Sequence, residues 1–372
     1  MSPYAHITGW GMAVPEHILT NDDLAQRIDT SDEWITSRTG IHQRHIASRD
    51  QTTASLAVQA SIHALESAGL SPGELDLIIV STSSPEYLFP ATACLVQDRL
   101  GASKAGAFDL LAACSGFIYA LIISTQSIRS GDIQNALIIG SETLSRMVNW
   151  KDRNTSVLFG DGAGAFVLQA QEERGGIISS VMRSDGSGGD LLILPAGGSA
   201  MPASPETVLN HQHYVQMNGR EVFRFASRVM AQATEEVVKK VQLTMDDVHL
   251  VIPHQANQRI IESALKSLNL PIERCMINLD RYGNTSTASI PIATCEAIQQ
   301  GRLKPGDNVV FVGFGAGLTW GAALAVWSGL IPGAPKHVLP LHFKLYARLQ
   351  SIIRRFLRHI DALIWGRHNP PI

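Results

Sequence analysis

Cys114-Ser-Gly-Phe-Ile-Tyr-Ala120 and Asn284-Thr-Ser-Thr-Ala-Ser-Ile290 open two stretches that run in parallel along one chain. The first continues to Arg129-Ser-Gly131-Asp, the second to Gln299-Gln-Gly301-Arg. Each starts in a small-residue turn, continues as an apolar helix and stops at a glycine, where a helix commonly ends. A buried strand follows each: Asn135-Ala-Leu-Ile-Ile-Gly140 and Asn308-Val-Val-Phe-Val-Gly313. Upstream, Leu75-Asp-Leu-Ile-Ile-Val80 answers Val248-His-Leu-Val-Ile252, and Gly160-Asp-Gly-Ala-Gly164 answers Gly313-Phe-Gly-Ala-Gly317. Self-similarity on this scale indicates a duplicated fold. In this reading Cys114 and Asn284 occupy matching places, with His254 thirty residues ahead of the asparagine.

The strands are near-continuous Ile, Leu and Val with no polar alternation, as a sheet covered on both faces requires. Two such halves, residues 1–172 and 173–330, predict an α/β fold of five layers, with helices between and outside two sheets. A loop rich in Gly, Ala, Pro and Ser, about 190–213, interrupts the second half. The 372 residues, 45% apolar and 17% charged, are those of a globular chain with a large core, and a net charge of −3 gives no global pull toward nucleic acid. The four cysteines (94, 114, 275 and 295) show neither CxxC pairing nor dense spacing, and the start of the chain lacks a signal-peptide pattern. A reducing, cytoplasmic compartment is expected.

Three residue types carry candidate chemistry. Cys114 opens a helix between Ala112-Ala113 and Ser115-Gly116, where the positive helix end and backbone N–H groups favour a thiolate. The competing reading is a small buried hydrophobe, and Cys94, Cys275 and Cys295 keep that reading. His254 ends a buried strand in Val251-Ile-Pro-His-Gln-Ala-Asn257, placed for proton transfer in a cleft or simply as a satisfied structural histidine. Asn284 is an amide donor or a turn residue. The Gly-rich turn at 313–317 offers backbone N–H groups for an oxyanion. A Cys, a His and an Asn without a carboxylate suit a thioester on cysteine, with two neutral donors stabilising an enolate formed by decarboxylation.

These residues resemble the thiolase-fold β-ketoacyl-acyl carrier protein synthases of type III, over about residues 4–328. The motifs are Trp34-Ile-Thr-Ser-Arg-Thr-Gly-Ile41, Asp109-Leu-Leu-Ala-Ala-Cys-Ser-Gly-Phe117, Phe159-Gly-Asp-Gly-Ala-Gly-Ala165, Pro253-His-Gln-Ala-Asn257, Tyr282-Gly-Asn-Thr-Ser286 and Gly313-Phe-Gly-Ala-Gly-Leu-Thr-Trp-Gly321. The resemblance implies that Cys114 accepts the acyl group, that His254 and Asn284 drive malonyl decarboxylation and condensation, and that the N–H groups of Cys114 and Ala316 form the oxyanion hole. It implies coenzyme A contacts at Trp34, Arg38, Thr39, Arg153, Gly219, Phe223 and Asn257. Arg224, Arg259 and Lys266 would meet an acidic acyl carrier protein. Phe89 would close a neighbouring subunit's acyl pocket in a homodimer. The implied substrates are acyl-CoA and malonyl-acyl carrier protein, with no metal or cofactor. Within the family, a starter-unit ketosynthase or acyltransferase of specialised metabolism is the rival, and a non-catalytic scaffold anchored by its tail is a second.

The departure from the family pattern is the tail. After a linker-like Pro332-Gly-Ala-Pro335, apolar residues Leu345, Leu349, Ile352, Ile353, Phe356, Leu357, Ile360, Leu363 and Ile364 recur at helical spacing, with Arg348, Arg354, Arg355 and Arg358 between them. From Lys336 onward seven Lys or Arg face one acid, Asp361, so the tail carries +6 and the body −9. A basic amphipathic helix over about 340–366 is expected. It would either bind an anionic membrane surface or an acidic partner, or pack on the acidic body of its own chain.

Overall fold

The structure, a computed structural model, describes residues 2–329 and the helix 343–365. The linker expected at Pro332–Pro335 lies outside the described residues, as do the side chains of 343–346, 348 and 361–365 in the tail helix.

Nine principal strands form two sheets. The first sheet is built from β1 (Tyr4–Ala13), β2 (Leu77–Ser81), β3 (Gly106–Leu110), β4 (Asn135–Glu142) and β5 (Gly162–Gln171), in the order β1-β5-β4-β2-β3. The second contains β6 (Gly176–Ser184), β7 (Leu250–Pro253), β8 (Asn308–Gly315) and β9 (Thr319–Val326), in the order β7-β8-β9-β6. β2 pairs parallel with β4 at Leu77–Ala136, and β7 pairs parallel with β8 in the same register, Leu250–Val309.

Helices sandwich these sheets because the central strands, such as β2, β4, β7 and β8, are apolar on both faces. Between the sheets, α-helices Gly116–Ser130 and Ser289–Gln299 bury Phe117, Ile118, Leu121, Ile290 and Ala293 against Ile79, Ile138 and Phe166 on one side and Ile252, Phe311 and Ala323 on the other. Thr53–Ala68 and Thr92–Leu100 cover the outer face of the first sheet. Gly219–Lys239 and Gln258–Leu268 cover that of the second. In chain order the principal helices are α1 (Asp32–Thr39), α2 (Thr53–Ala68), α3 (Thr92–Leu100), α4 (Gly116–Ser130), α5 (Gly219–Lys239), α6 (Gln258–Leu268), α7 (Ser289–Gln299) and α8 (Phe343–Trp365). This is the expected five-layered α/β architecture.

The register of the duplication differs from the sequence reading. Leu77 and Leu250, Ala113 and Ser286, Gly116 and Ser289, and Asn135 and Asn308 begin equivalent elements, and each pair is 173 residues apart. By that step the counterpart of Cys114 is Thr287, not Asn284, and the counterpart of His254 is Ser81. The sequence comparison anchored on the glycine stops, 131 and 301. The first-half helix is longer (15 residues against 11), so those stops are out of phase with the strands.

The two halves depart from each other in two further places. The step from β4 to β5 spans residues 143–161, whereas β8 passes to β9 through 316–318 alone, so Arg153 sits on an insertion of the first half. Strand β3 is an edge with no equivalent in the second sheet.

Candidate active site

Cys114 lies in a short 3-10 turn that leads into α4. Ala113 before it takes the left-handed conformation, φ 46°, which turns the chain sharply and sets the cysteine at the helix start. Gly315 of β8 presses against this turn. A Cβ there would stand 2.6 Å from Cys114 N and 3.1 Å from Ser115 N, so only glycine fits. Cys114 is buried, and burial pushes its thiol up to about 12; the Ser286 hydroxyl and the local backbone pull down, while the Glu142 carboxylate pushes up. The resting side chain is therefore a thiol, where the helix start alone suggested a thiolate. Desolvation of the charged form outweighs the helix end.

His254 stands at the end of β7, its N–H donating to Val312 O at 2.8 Å. Its Nδ1 and Ser289 Oγ are 2.7 Å apart, and the ring meets Phe314 edge-on at 5.2 Å. Nε2 has no hydrogen-bond partner among the described residues, although the ring is almost wholly buried. Burial depresses its pKa to about 3, so the imidazole is neutral at physiological pH. A neutral ring with one nitrogen held and the other free is what proton transfer to and from a substrate requires.

Asn284 is fixed by backbone bonds to Leu158 O (2.8 Å) and from Gly160 N (3.0 Å). Its Oδ1 accepts from Ser286 N–H at 2.8 Å, which leaves the NH₂ end of the amide to face the site. Ser286 has φ 49° and its hydroxyl reaches both the Cys114 thiol and the Glu142 carboxylate. Glu142 is fully buried and accepts from Ser84 Oγ (2.5 Å), Ser83 N (3.1 Å) and Thr82 Oγ1 (3.2 Å). Burial pushes its carboxyl up to about 7 against those hydrogen bonds.

Cys114, His254 and Asn284 share one cavity of about 520 Å³, whose wall also includes Phe314 and Gly315. Trp34, Arg38, Thr39, Arg153, Gly219, Phe223 and Asn257 line the same cavity. Trp34 carries both guanidinium groups, Arg38 and Arg153, each 4.7 Å from its ring centroid. A purine stacked between Trp34 and Arg153 needs about twice the usual ~3.5 Å contact, so the Arg153 guanidinium must lift to admit one. Besides Trp34, it meets Asp29 O at 3.0 Å and the exposed Asp29 carboxylate at 3.7 Å. Asn257 caps α6 and donates to Arg38 O at 3.0 Å, tying the two walls together. Thr39 lines the cavity, but its hydroxyl is spent on Ile35 O and Ile41 N. Ala316 follows Gly315 in the turn to β9 and does not take a positive φ, so its methyl group imposes no strain there.

Arg259 also lines the cavity, at 5.9 Å over the Phe223 ring, while Arg224 lines a neighbouring surface hollow and pairs with Glu221 at 3.2 Å. Lys266 is exposed on α6 but lines neither. Arg220 and Arg228, one turn before and after Arg224 on α5, extend that basic row. The sequence reading missed them, although the i, i+4, i+8 spacing marks a single helix face. It missed Glu142, Ser286 and Ser289 too. Phe89 is 86% exposed and does not line its own chain's cavity; Leu88 (84%) beside it and Leu111 (78%) past the end of β3 are also exposed.

Comparison with known proteins finds relatives along most of the chain. Residues 108–186 match the sequence model of 3-oxoacyl-[acyl-carrier-protein] synthase III, and residues 238–327 match its C-terminal part. The chain is similar to the β-ketoacyl-[acyl-carrier-protein] synthase III of Symbiobacterium thermophilum, 56% identical over 86% of this chain and 97% of that one. It is similar to the crystal structure of 3-oxoacyl-[acyl-carrier-protein] synthase III from Aquifex aeolicus, with TM-score 0.80, 48% identity, and coverage of 87% of this chain and 100% of that one. The priming β-ketosynthase of the R1128 polyketide pathway also superposes, with TM-score 0.81 at 33% identity over 88% and 98% of the two chains. The family match ends at residue 327, before α8 begins.

Proposed function

The chain belongs to the 3-oxoacyl-[acyl-carrier-protein] synthase III family of condensing enzymes, and from that premise we propose that it joins an acyl group, taken from acyl-CoA, to malonyl-acyl carrier protein with loss of CO₂. The observation that carries the reading is the convergence of Cys114, His254 and Asn284 on one cavity whose outer wall is Trp34 with its two arginines.

In the first half-reaction Cys114 sulfur attacks the thioester carbonyl of acyl-CoA. Its proton passes through the free Nε2 of His254 to the departing coenzyme A thiolate, so a buried imidazolium exists only in transit and the ring ends neutral. The N–H groups of Cys114 and Ala316 take the oxyanion. In the second half the malonyl carbon–carboxylate bond breaks and CO₂ leaves. Between the two halves the ring proton exchanges through solvent from Nδ1 to Nε2. The enolate oxygen is met by Asn284 NH₂ and this His254 Nε2–H, a tautomer the rotatable Ser289 hydroxyl supports by donating to Nδ1. The enolate carbon attacks the acyl carbonyl, the carbon–sulfur bond breaks, and the released Cys114 thiolate takes a proton from solvent, the one proton the overall reaction consumes. The products are β-ketoacyl-acyl carrier protein, coenzyme A and CO₂, which starts fatty acid synthesis.

Arg224, Arg259 and Lys266, joined by Arg220 and Arg228, form the basic side on which an acidic carrier protein would dock, steered by charge. The exposed Phe89, Leu88 and Leu111 and the free edge β3 support a homodimer in which Phe89 serves the partner's pocket. No cofactor is needed, since every step uses side chains and substrate. The test is to mix the protein with malonyl-acyl carrier protein and a panel of acetyl-, branched- and medium-chain acyl-CoAs and read the intact mass of both proteins. A β-ketoacyl carrier mass, absent with Cys114→Ala, is expected. Acylated enzyme without an elongated carrier would instead indicate an acyltransferase of specialised metabolism.

A further inference from the structure

Helix α8 is docked on its body the wrong way round for a tail that simply covers the enzyme. Ala347 is completely buried, and a Cβ built on Gly101 at the end of α3 would come within 3.3 Å of its methyl group. Ser351 Oγ donates to Asp98 Oδ2 at 2.6 Å, and the Arg354 and Arg355 guanidiniums stand 3.3 and 3.5 Å from the same carboxylate. The docked side is thus small and polar. The side turned to solvent carries Leu349, Ile352, Ile353, Phe356 and Leu357, from 49 to 63% exposed, at spacings of three and four. An amphipathic helix folded onto its own protein buries that stripe; this one presents it.

We propose that this stripe seats in the interfacial layer of an anionic lipid bilayer, so that α8, pinned through Asp98, holds the enzyme on a membrane surface. Charge selects this occupant. Arg355, Arg358 and His359 are exposed around the stripe, and the tail carries +6 with Asp361 its only acid from Lys336 onward. A second copy of α8 laid face to face would bring two such basic rows together with almost no acid to pair them. A bilayer rich in acidic headgroups supplies apolar depth and negative charge on one surface. The helix would lie along the membrane: none of the described helices is long and apolar enough to cross one.

The experiment uses the full-length protein with phosphatidylglycerol–phosphatidylcholine vesicles and pure phosphatidylcholine vesicles, read by co-sedimentation. A second protein carries Ile352→Ser and Phe356→Ser, with condensation activity confirming that its body is folded. Wild type should sediment with the anionic vesicles, less with neutral ones and less at high salt, and the double variant should bind at least about tenfold more weakly. Equal sedimentation of the two proteins overturns the proposal. So does a wild type that ignores anionic vesicles but whose oligomer size, or retention of acidic carrier protein, changes in the double variant; the stripe would then be a protein interface.

Discussion

Ser289 Oγ lies 2.7 Å from His254 Nδ1 at the head of α7, the place that Gly116 holds at the head of α4. The same step of 173 residues sets Ser81 where His254 stands. The two halves have thus diverged at one pair of contacts: Ser81 against Gly116 in the first, His254 against Ser289 in the second. There is no room for more in the first half, since a Cβ on Gly116 would come within 2.1 Å of Ser81 Oγ. In the proposed mechanism, the pair His254–Ser289 is where the two halves of the duplicated scaffold differ in a proton-handling group.

Replacing Ser289 by Ala leaves Nδ1 of a buried ring unsatisfied and frees its tautomer. Ser289→Ala should lower kcat by roughly ten- to a hundredfold while leaving KM for acyl-CoA nearly unchanged. Ser289→Thr, which restores the hydroxyl, should recover part of the loss. Steady-state kinetics on the three proteins checks this.

His254 has a folded pKa of about 3 against about 6.5 unfolded. The unfolded chain therefore binds a proton in this window that the native state does not, and His254 costs stability progressively as pH falls from 6.5 toward 3. The His254 ring protons should show no titration by NMR between about pH 8 and pH 5. A His254→Gln variant should be less acid-sensitive than wild type in denaturant melts.

Glu142 has the opposite sign. Its folded pKa of about 7 stands above its ordinary 4.5, so the native state holds the extra proton and stability is lost as pH rises through that window. Urea midpoints for wild type should fall relative to Glu142→Gln between about pH 5 and pH 8, with the gap widening monotonically. A gap independent of pH would mean that the buried carboxyl is ionised throughout.

Trp34 and Arg153 stack directly, so Arg153→Ala removes a contact on the free enzyme as well as one on substrate. KM for acyl-CoA should rise about tenfold in Arg153→Ala and more in Trp34→Ala, with less effect on kcat. Titration of each variant with coenzyme A by calorimetry separates binding from turnover.

The fold was legible because sheets covered on both faces write long apolar runs into the chain, and Ile78–Val80 and Val309–Val312 are such runs. The register of the duplication was not, because a glycine that stops a helix marks the helix end and not the strand that follows it. Cys114, His254, Asn284, Trp34 and Arg38, which line one cavity, lie in short motifs that single them out in the sequence. Glu142 and Ser286 escaped because they meet across the interface of the two halves, far apart in sequence. The tail's amphipathic pattern was visible too, but a periodicity does not say which side of a helix is docked; the Ser351–Asp98 contact does.

Whether Cys114 carries the acyl group, and whether His254 and Asn284 are needed to move it on, is tested most directly by a single turnover. The enzyme is acylated with acyl-CoA, the acyl group is located by peptide mass, and malonyl-acyl carrier protein is then added. The acyl mass should sit on the peptide holding Cys114 and leave within one turnover in wild type, persist in Asn284→Ala, and form more slowly and then persist in His254→Ala. An acyl group on any other residue, or equal discharge by the two variants, would contradict this mechanism.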